Sequence, residues 1–481
     1  MGQSSGLLDL LYSGVGNLAA YLAAHVLLCL LPAFFIAGAM TALIPKESVT
    51  RFLGRNRPKY ISYPAAAASG SLLAVCSCTI VPLFAGIYKK GAGIGPAITF
   101  LFFAPAANIL ALIYTGGLIG TDLAFARFFL SLVFGIGIGM IMALIFSKED
   151  TAHDAAADAM FAGNQEMKRS AFALITLLVA LLLSGTLKIG LLTNTYATIT
   201  LPVAGMDTLQ ETLLRLVPFD PAKGEEGVSA QGAILIVLLA LTGGAAWKGF
   251  ETVFDGLNHW TYGALFLTAV TFLGAAVGMT PHPGSLEILI TGKFMGVAIS
   301  LVAIFLLLKT RFEAEEIGDF LWESWRFVKQ IFPLLIAGVF MVGVIRPVIR
   351  PEWIQGIAGE NTAIGNLAGV FFGIFMYFPT LVEVPIAKMF LELGMHKGPL
   401  LAYLMADPEL SLQSMLITAA IIGRLKTFAY VICVAIFSAV SGFLYGLWID
   451  GTGLLVIGAY LAAFLAILLL MLWRINQQTA R

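Results

Sequence analysis

The stretch "SGSLLAVCSCTIVPLF", residues 69–84, sets two cysteines one residue apart in an apolar run and places a proline four residues after the second. Shifted by 303 residues without a gap, it falls on "FGIFMYFPTLVEVPIA", residues 372–387, so that Gly70 meets Gly373 and Pro82 meets Pro385. The same offset carries Gly95 to Gly398, Pro96 to Pro399, Pro105 to Pro408, Gly120 to Gly423 and Gly139 to Gly442. Seven Gly or Pro coincidences at one offset mark an internal repeat. Upstream, "LPAFFIAG" (31–38) faces "FPLLIAG" (332–338) with one residue of slippage, which extends the copies to 30–147 and 331–448.

The solvent around these copies follows from composition. Hydrophobic residues make up 59% of the 481 and charged ones 12%, against about 25% charged in soluble domains. A bilayer core of ~30 Å needs about 20 apolar residues per helical crossing. Thirteen apolar segments of that order lie between residues 18 and 473, among them 63–88, 94–117, 286–308, 364–391 and 398–418. The fold expected is an all-α polytopic membrane protein: two inverted-topology repeats with broken or re-entrant helices, plus an inserted helical block. Its expected divisions are 1–147 (first repeat with an N-terminal segment), 148–329 (linker and inserted transmembrane block), 330–448 (second repeat) and 449–481 (C-terminal transmembrane helix). The longest polar interruptions, 148–169 and 194–229, read as linkers. "MGQSSGLLDLLYSG" lacks the basic start and cleavage site of a removable signal peptide. Zero net charge without a basic block argues against nucleic-acid partners. Cys29, Cys76, Cys78 and Cys433 all sit in apolar runs, which argues against a secreted disulfide framework.

Charge in the loops bears on direction, because Lys and Arg in short loops favour the cytoplasm. If all thirteen segments span, each side receives eleven basic residues. Letting 63–88 and 364–391 enter and leave on one side gives seventeen inside against five outside. Turning back 94–117 and 398–418 instead changes little, so charge leaves the identity of the re-entrant segment open. Either choice puts seven spanning segments between equivalent points, and an odd number inverts the second copy. Non-helical backbone at membrane depth survives only when buried in protein or lining a cavity, so paired breaks point to a transporter-like site. The alternative is that the prolines merely kink ordinary spanning helices.

The side chains at these breaks carry the chemistry. In an intact helix Cys76 and Cys78 diverge by about 200°; in an extended stretch they share a face. Unwinding near Pro82 would let the two thiolates grip one soft metal or trivalent metalloid, whereas a buried cysteine otherwise acts as a small hydrophobe. The second copy supplies charge: Glu383 lies between Pro379 and Pro385, with Lys388 the nearest basic residue in sequence. An ionisable group in the membrane is a functional candidate by default, and this pair is read as ion-coupling or as a structural Glu–Lys bridge. Asp407, Glu409, Arg424 and Lys426 read either as a further functional group or as a solvated or interfacial loop. Arg127 reads as paired with Asp122 or snorkelling, and His259 and His282 as loop residues. No metal-ligand spacing and no nucleotide-binding or other cofactor motif is visible.

"CSCTIVPLFAGIYKKGAGIGPAITFLFFAPAAN" (76–108) resembles the signature of the ArsP-type permease family of predicted permeases and organoarsenical efflux permeases, and "FPTLVEVPIAKMFLELGMHKGPLLAYLM" (378–405) is similar to its C-terminal half. The resemblance implies a multi-pass permease of the prokaryotic inner membrane that exports trivalent organoarsenicals or related toxic species. It carries a substrate-binding role onto Cys76, Ser77, Cys78, Thr79, Pro82, Pro105 and Asn108, with Gly95 and Pro96 beside them. Two features depart from the short family pattern: the block between the copies, and the carboxylates of "ADPELSLQSML" (406–416). The reading is a secondary-active permease for a small molecule or metalloid, not an enzyme, with the lipid bilayer as its other partner. An intramembrane thiol oxidoreductase using Cys76 and Cys78 is the alternative, as is the membrane subunit or channel of a larger complex. Oligomeric state leaves no mark in the sequence.

Overall fold

A computed structural model describes residues 7–479 apart from 25, 45, 56, 73–76, 161–167, 188–189, 204, 218–227, 346, 348–350 and 376–379. Along the chain, α1 (Leu7–Ala24) and α2 (Leu31–Leu43) precede the short α3 (Lys46–Leu53). Then come α4 (Lys59–Leu72), α5 (Ser77–Lys89), α6 (Ile94–Ala106), α7 (Ile109–Leu118) and α8 (Thr121–Ile145). The middle holds α9 (Ser147–Met160), α10 (Arg169–Thr186), α11 (Gly190–Thr193), β1 (Thr195–Leu201), α12 (Met206–Leu216) and α13 (Ala230–Glu251). It continues with α14 (His259–Ala276), β2 (Gly278–His282), β3 (Ser285–Thr291), α15 (Gly292–Arg311) and α16 (Ala314–Ile345). The last part is α17 (Pro351–Ala358), α18 (Ala363–Phe375), α19 (Thr380–Glu392), α20 (Lys397–Leu410), α21 (Leu412–Ile422), α22 (Arg424–Ile449) and α23 (Leu454–Thr479).

The protein is an all-α polytopic membrane protein: among the described residues, eight stretches are helical, long and apolar enough to cross a bilayer. Fewer than thirteen qualify because several apolar runs are divided. Residues 63–88 are shared between α4 and α5, 364–391 between α18 and α19, and 398–418 between α20 and α21; 286–308 begins as strand β3.

Two compact units are present. The first comprises Met1–Pro45, Ala85–Ile87 and Gly163–Val344. Its core includes Leu181, Phe272, Ala276 and Val297, from α10, α14 and α15. A three-stranded antiparallel sheet in the order β1-β3-β2 is added to it. The sequence reading missed this sheet, taking 194–229 as a linker and His282 as a loop residue. "TYATITL" is rich in β-branched residues, but the strand that completes its hydrogen bonds lies some ninety residues on, Thr198 opposite Leu289. His282 ends β2, 3.4 Å from Glu287 of β3. His259 opens α14, where Asn258 and Thr261 form a reciprocal cap.

The second unit comprises Lys46–Phe84, Tyr88–Ala162 and Ile345–Arg481. Thus the N-terminal segment and the start of the second copy group with the middle block, across the linear divisions drawn from the sequence. Within this unit the offset of 303 relates a succession of helices: α3 to α8 match α17 to α22. The glycines show why. A Cβ added at Gly139 would lie 2.5 Å from the Gly95 carbonyl oxygen, and one at Gly442 would lie 2.4 Å from that of Gly398. Small residues let α8 approach α6, and α22 approach α20, backbone to backbone. Gly120 and Gly423, with φ of +155° and +89°, open α8 and α22 in backbone that other residues avoid. Gly442→Val is expected to cost about 1–3 kcal/mol through overpacking, read as a lower unfolding temperature in detergent; an unchanged temperature would refute the close crossing.

The chain 148–169 opens as a helix, not a linker. Asp150 of α9 is 3% exposed, and its Oδ1 accepts a 3.0 Å hydrogen bond from the Ile94 amide. A carboxylate there satisfies one of the free amides at the start of α6 and complements the helix dipole.

Candidate functional site

Breaks occur in both copies at equivalent residues. The α6 helix stops at Ala106 and α7 starts at Ile109; α20 stops at Leu410 and α21 starts at Leu412. Asn108 and Ser411, related by the offset, lie in these interruptions, three residues after Pro105 and Pro408. Proline removes an amide donor and crowds the preceding turn, which favours an end to the helix there. The two interruptions fall in 94–117 and 398–418.

Pro82 behaves differently from expectation. Ser77–Lys89 is helical and Pro82 lies inside it, as Pro385 lies inside α19. Proline is tolerated in membrane helices because neighbouring groups re-satisfy the freed carbonyl. Cys76 lies outside the described residues, as do the side chains of Ser77, Cys78 and Thr79, although the backbone of the latter three is part of α5. His25 and the four residues 376–379, with Pro379, also lie outside them.

At the first interruption a charged pair is enclosed. Glu383 of α19 and Arg127 of α8 have no exposed side-chain surface. Arg127 donates through Nη2 to both Glu383 oxygens, at 3.0 and 3.3 Å. Its Nε donates to the carbonyl oxygen of Ala106, the last residue of α6, at 2.8 Å. Its Nη1 lies 3.5 Å from Thr115 Oγ1 on α7, whose hydroxyl donates to the Ala111 carbonyl at 2.7 Å. Taking two charges out of water costs several kcal/mol each, recovered only when geometry is good and the remaining donors find acceptors. Arg127 meets that condition by combining a carboxylate, a helix-terminal carbonyl and a hydroxyl. The helix end adds negative potential toward the guanidinium.

This corrects two expectations. The charge partner of Glu383 is Arg127, 256 residues away; Lys388 is exposed on the same helix. Asp122 does not hold Arg127. It accepts 2.9 Å hydrogen bonds from Lys397 Nζ of α20 and Tyr445 OH of α22. Both carboxylate–cation contacts therefore tie one copy to the other, the buried one at the interruption and the partly exposed one at the start of α8. Arg127 had a legible signal: with Asp122 at the helix start, it is one of two charges in the 25-residue α8.

Asn108 is 2% exposed, two residues beyond the carbonyl that Arg127 caps. Pro105 and Pro82 are buried as well. The structure thus brings Glu383, Pro105 and Asn108 to one neighbourhood through Arg127, and leaves Lys388 out of it. Asp407 and Glu409, read as interfacial, are 0% and 4% exposed inside α20. Arg424 is exposed, and Lys426 reaches Glu149 at 3.3 Å.

A helical membrane protein with duplicated, interrupted helices and a charge pair sealed between the copies has the features of a permease. The chain belongs to the ArsP_1 family of predicted permeases, whose model matches residues 12–447. It is 34% identical over 444 residues to the UPF0718 protein MJ0584 of Methanocaldococcus jannaschii, covering 92% of this chain and 98% of the relative. Both matches run through the block between the copies, which is therefore part of the family plan and not an insertion into it. No solved structure matches the chain.

Proposed function

We propose that this protein is a secondary-active permease of the prokaryotic cell membrane that exports a small soft toxicant, with trivalent organoarsenicals the leading class, in exchange for protons. The observation that carries the reading is the Arg127–Glu383 pair, fully enclosed where α7 and α8 of one copy meet α19 of the other. A permease alternates between states, and a buried pair bridging two copies is a contact that one state makes and the next must break. Protonation of Glu383 removes the charge that holds Arg127, so proton arrival and release of the contact are one event. Support for two oppositely directed copies comes from the basic residues of the loops, which gather strongly on one side whichever of the two segments turns back.

The substrate class rests on the thiols at 76 and 78 and on the family resemblance. Thiolates suit soft trivalent arsenic, and the α5 start that carries Cys78 lies at the offset equivalent of the α19 start that carries Glu383. Cells expressing Cys76→Ser or Cys78→Ser are expected to lose protection against methylarsenite and phenylarsine compounds, at unchanged membrane levels of the protein. Full protection by the double variant would exclude thiol ligation while leaving the permease reading intact. Proteoliposomes given an inward proton gradient test the transport itself: wild-type protein should accumulate or expel methylarsenite in proportion to the gradient, and flux equal to protein-free vesicles would refute it.

A further inference from the structure

The second interruption has its own polar cluster, which the pair above does not use. Glu409 of α20 accepts a hydrogen bond at Oε2 from the hydroxyl of Tyr430 on α22, while its Oε1 has no hydrogen-bond partner among the described residues. Gln413 lies in the first turn of α21, one turn further on; it is 1% exposed, and neither its Oε1 nor its Nε2 has a partner among the described residues. Between them Ser411 donates to the hydroxyl of Ser414 at 2.8 Å. A buried polar atom without a partner costs about 1–3 kcal/mol, more when charged, so two such side chains at one helix break call for a ligand.

The first copy shows what sign that ligand carries. Tyr430 is the offset equivalent of Arg127, and Glu409 that of Ala106. In copy one a guanidinium caps the carbonyl end of α6 and neutralises a carboxylate. At the equivalent place in copy two a neutral phenol faces a carboxylate, and no lysine or arginine among the described residues bonds Glu409. Helix C-termini carry partial negative charge, and half-helix ends with unwound backbone coordinate coupling cations in other transporters. We infer that the α20–α21 interruption is a second, exchangeable cation site, in which a sodium ion or a proton neutralises Glu409 with Gln413 and the Ser411 region completing its shell. It stands in copy two where the fixed cation of Arg127 stands in copy one. The inference rests on the permease reading for its purpose, cation coupling, but the site itself is independent of any transport.

The titratable surroundings are few. α6, α18 and α21, all packed on α20, contain no titratable residue. Asp407 lies on α20 itself, and α22 presents Tyr430 and Cys433. α8 and α19 bring Arg127 and Glu383, already joined, with Asp122 held by Lys397 and Tyr445.

Equilibrium binding tests the site. Purified full-length protein in detergent is titrated with sodium chloride against choline chloride at constant ionic strength, following the unfolding temperature, and its infrared spectrum is recorded across pH for a protonated carboxyl band. A saturable sodium-specific rise that Glu409→Gln abolishes identifies sodium; a carboxyl band that Glu409→Gln removes and alkali titrates away identifies the proton. Should Glu409→Gln fail to fold, Tyr430→Phe keeps the ring and is expected to move the sodium or pH midpoint by about 2- to 10-fold, the effect of one hydrogen bond. The site is overturned if neither signal exists in the wild type, if the signal persists in Glu409→Gln, or if Tyr430→Phe leaves the midpoint unmoved. Since these readouts need no substrate and no flux, a failed transport assay would leave them standing, and their failure would leave the Arg127–Glu383 reading standing.

Discussion

Arg127→Met is expected to destabilise the protein by about 3–5 kcal/mol, the usual cost of removing one member of a buried ion pair. The substitution leaves Glu383 sealed with no cation, the Ala106 carbonyl uncapped and Thr115 without its guanidinium neighbour. Methionine fills most of the volume, so the loss measures charge and hydrogen bonding more than a cavity. The double variant Arg127→Met with Glu383→Leu removes both charges and is expected to recover most of the stability, because apolar replacement of a complete buried pair is often neutral. Unfolding temperature and monodispersity in detergent read both effects. A single variant as stable as the wild type would mean that the pair is not formed in the resting protein.

Glu383→Gln separates coupling from folding. The amide keeps the size of the side chain and still offers an oxygen to Arg127 Nη2, so the fold is expected to persist with a smaller loss than Arg127→Met. Gradient-driven flux in proteoliposomes is expected to fall to the level of protein-free vesicles, because a side chain that cannot exchange a proton cannot release Arg127 in response to one. Any residual flux should be independent of pH. Transport in Glu383→Gln with the wild-type pH dependence would place coupling elsewhere, and the double neutral variant, stable but inactive, would confirm that the pair serves more than stability.

The repeat was legible because it rests on residues whose backbone roles are local. Gly95, Gly139, Gly398 and Gly442 are glycines because a backbone oxygen lies within 3.0 Å of where a side chain would begin, and Gly120 and Gly423 because φ is positive there. Such requirements leave the same letters at the same offset in both copies. Glu383 was legible as an oddity, a charge in an apolar run. Its partner was not, because Lys388 is five residues away in sequence but exposed, and only the packing of α7 between α8 and α19 brings Arg127 within reach. Proximity along a helix misled again at Asp122, whose carboxylate is taken by side chains about 275 and 323 residues on. The carboxylates at 407 and 409 look like a solvated loop when read beside Pro408, Ser411 and Gln413; burial by α18 and α22 reverses that reading. The sheet was hidden for the related reason that β1 has no partner within its own stretch of chain.

Apolar length and the spacing of glycine and proline were sufficient by themselves to mark a membrane-embedded helical protein with an internal repeat, while the permease expectation came from the resemblance of residues 76–108 and 378–405. Tertiary structure alone decided which charges meet, where the helices stop relative to Asn108 and Ser411, and that the end of α6 faces a guanidinium whereas that of α20 bears Glu409. The physical reason is range: sterics and hydropathy act between near neighbours on the chain, whereas in a low-dielectric interior a buried charge selects its partner by distance in space.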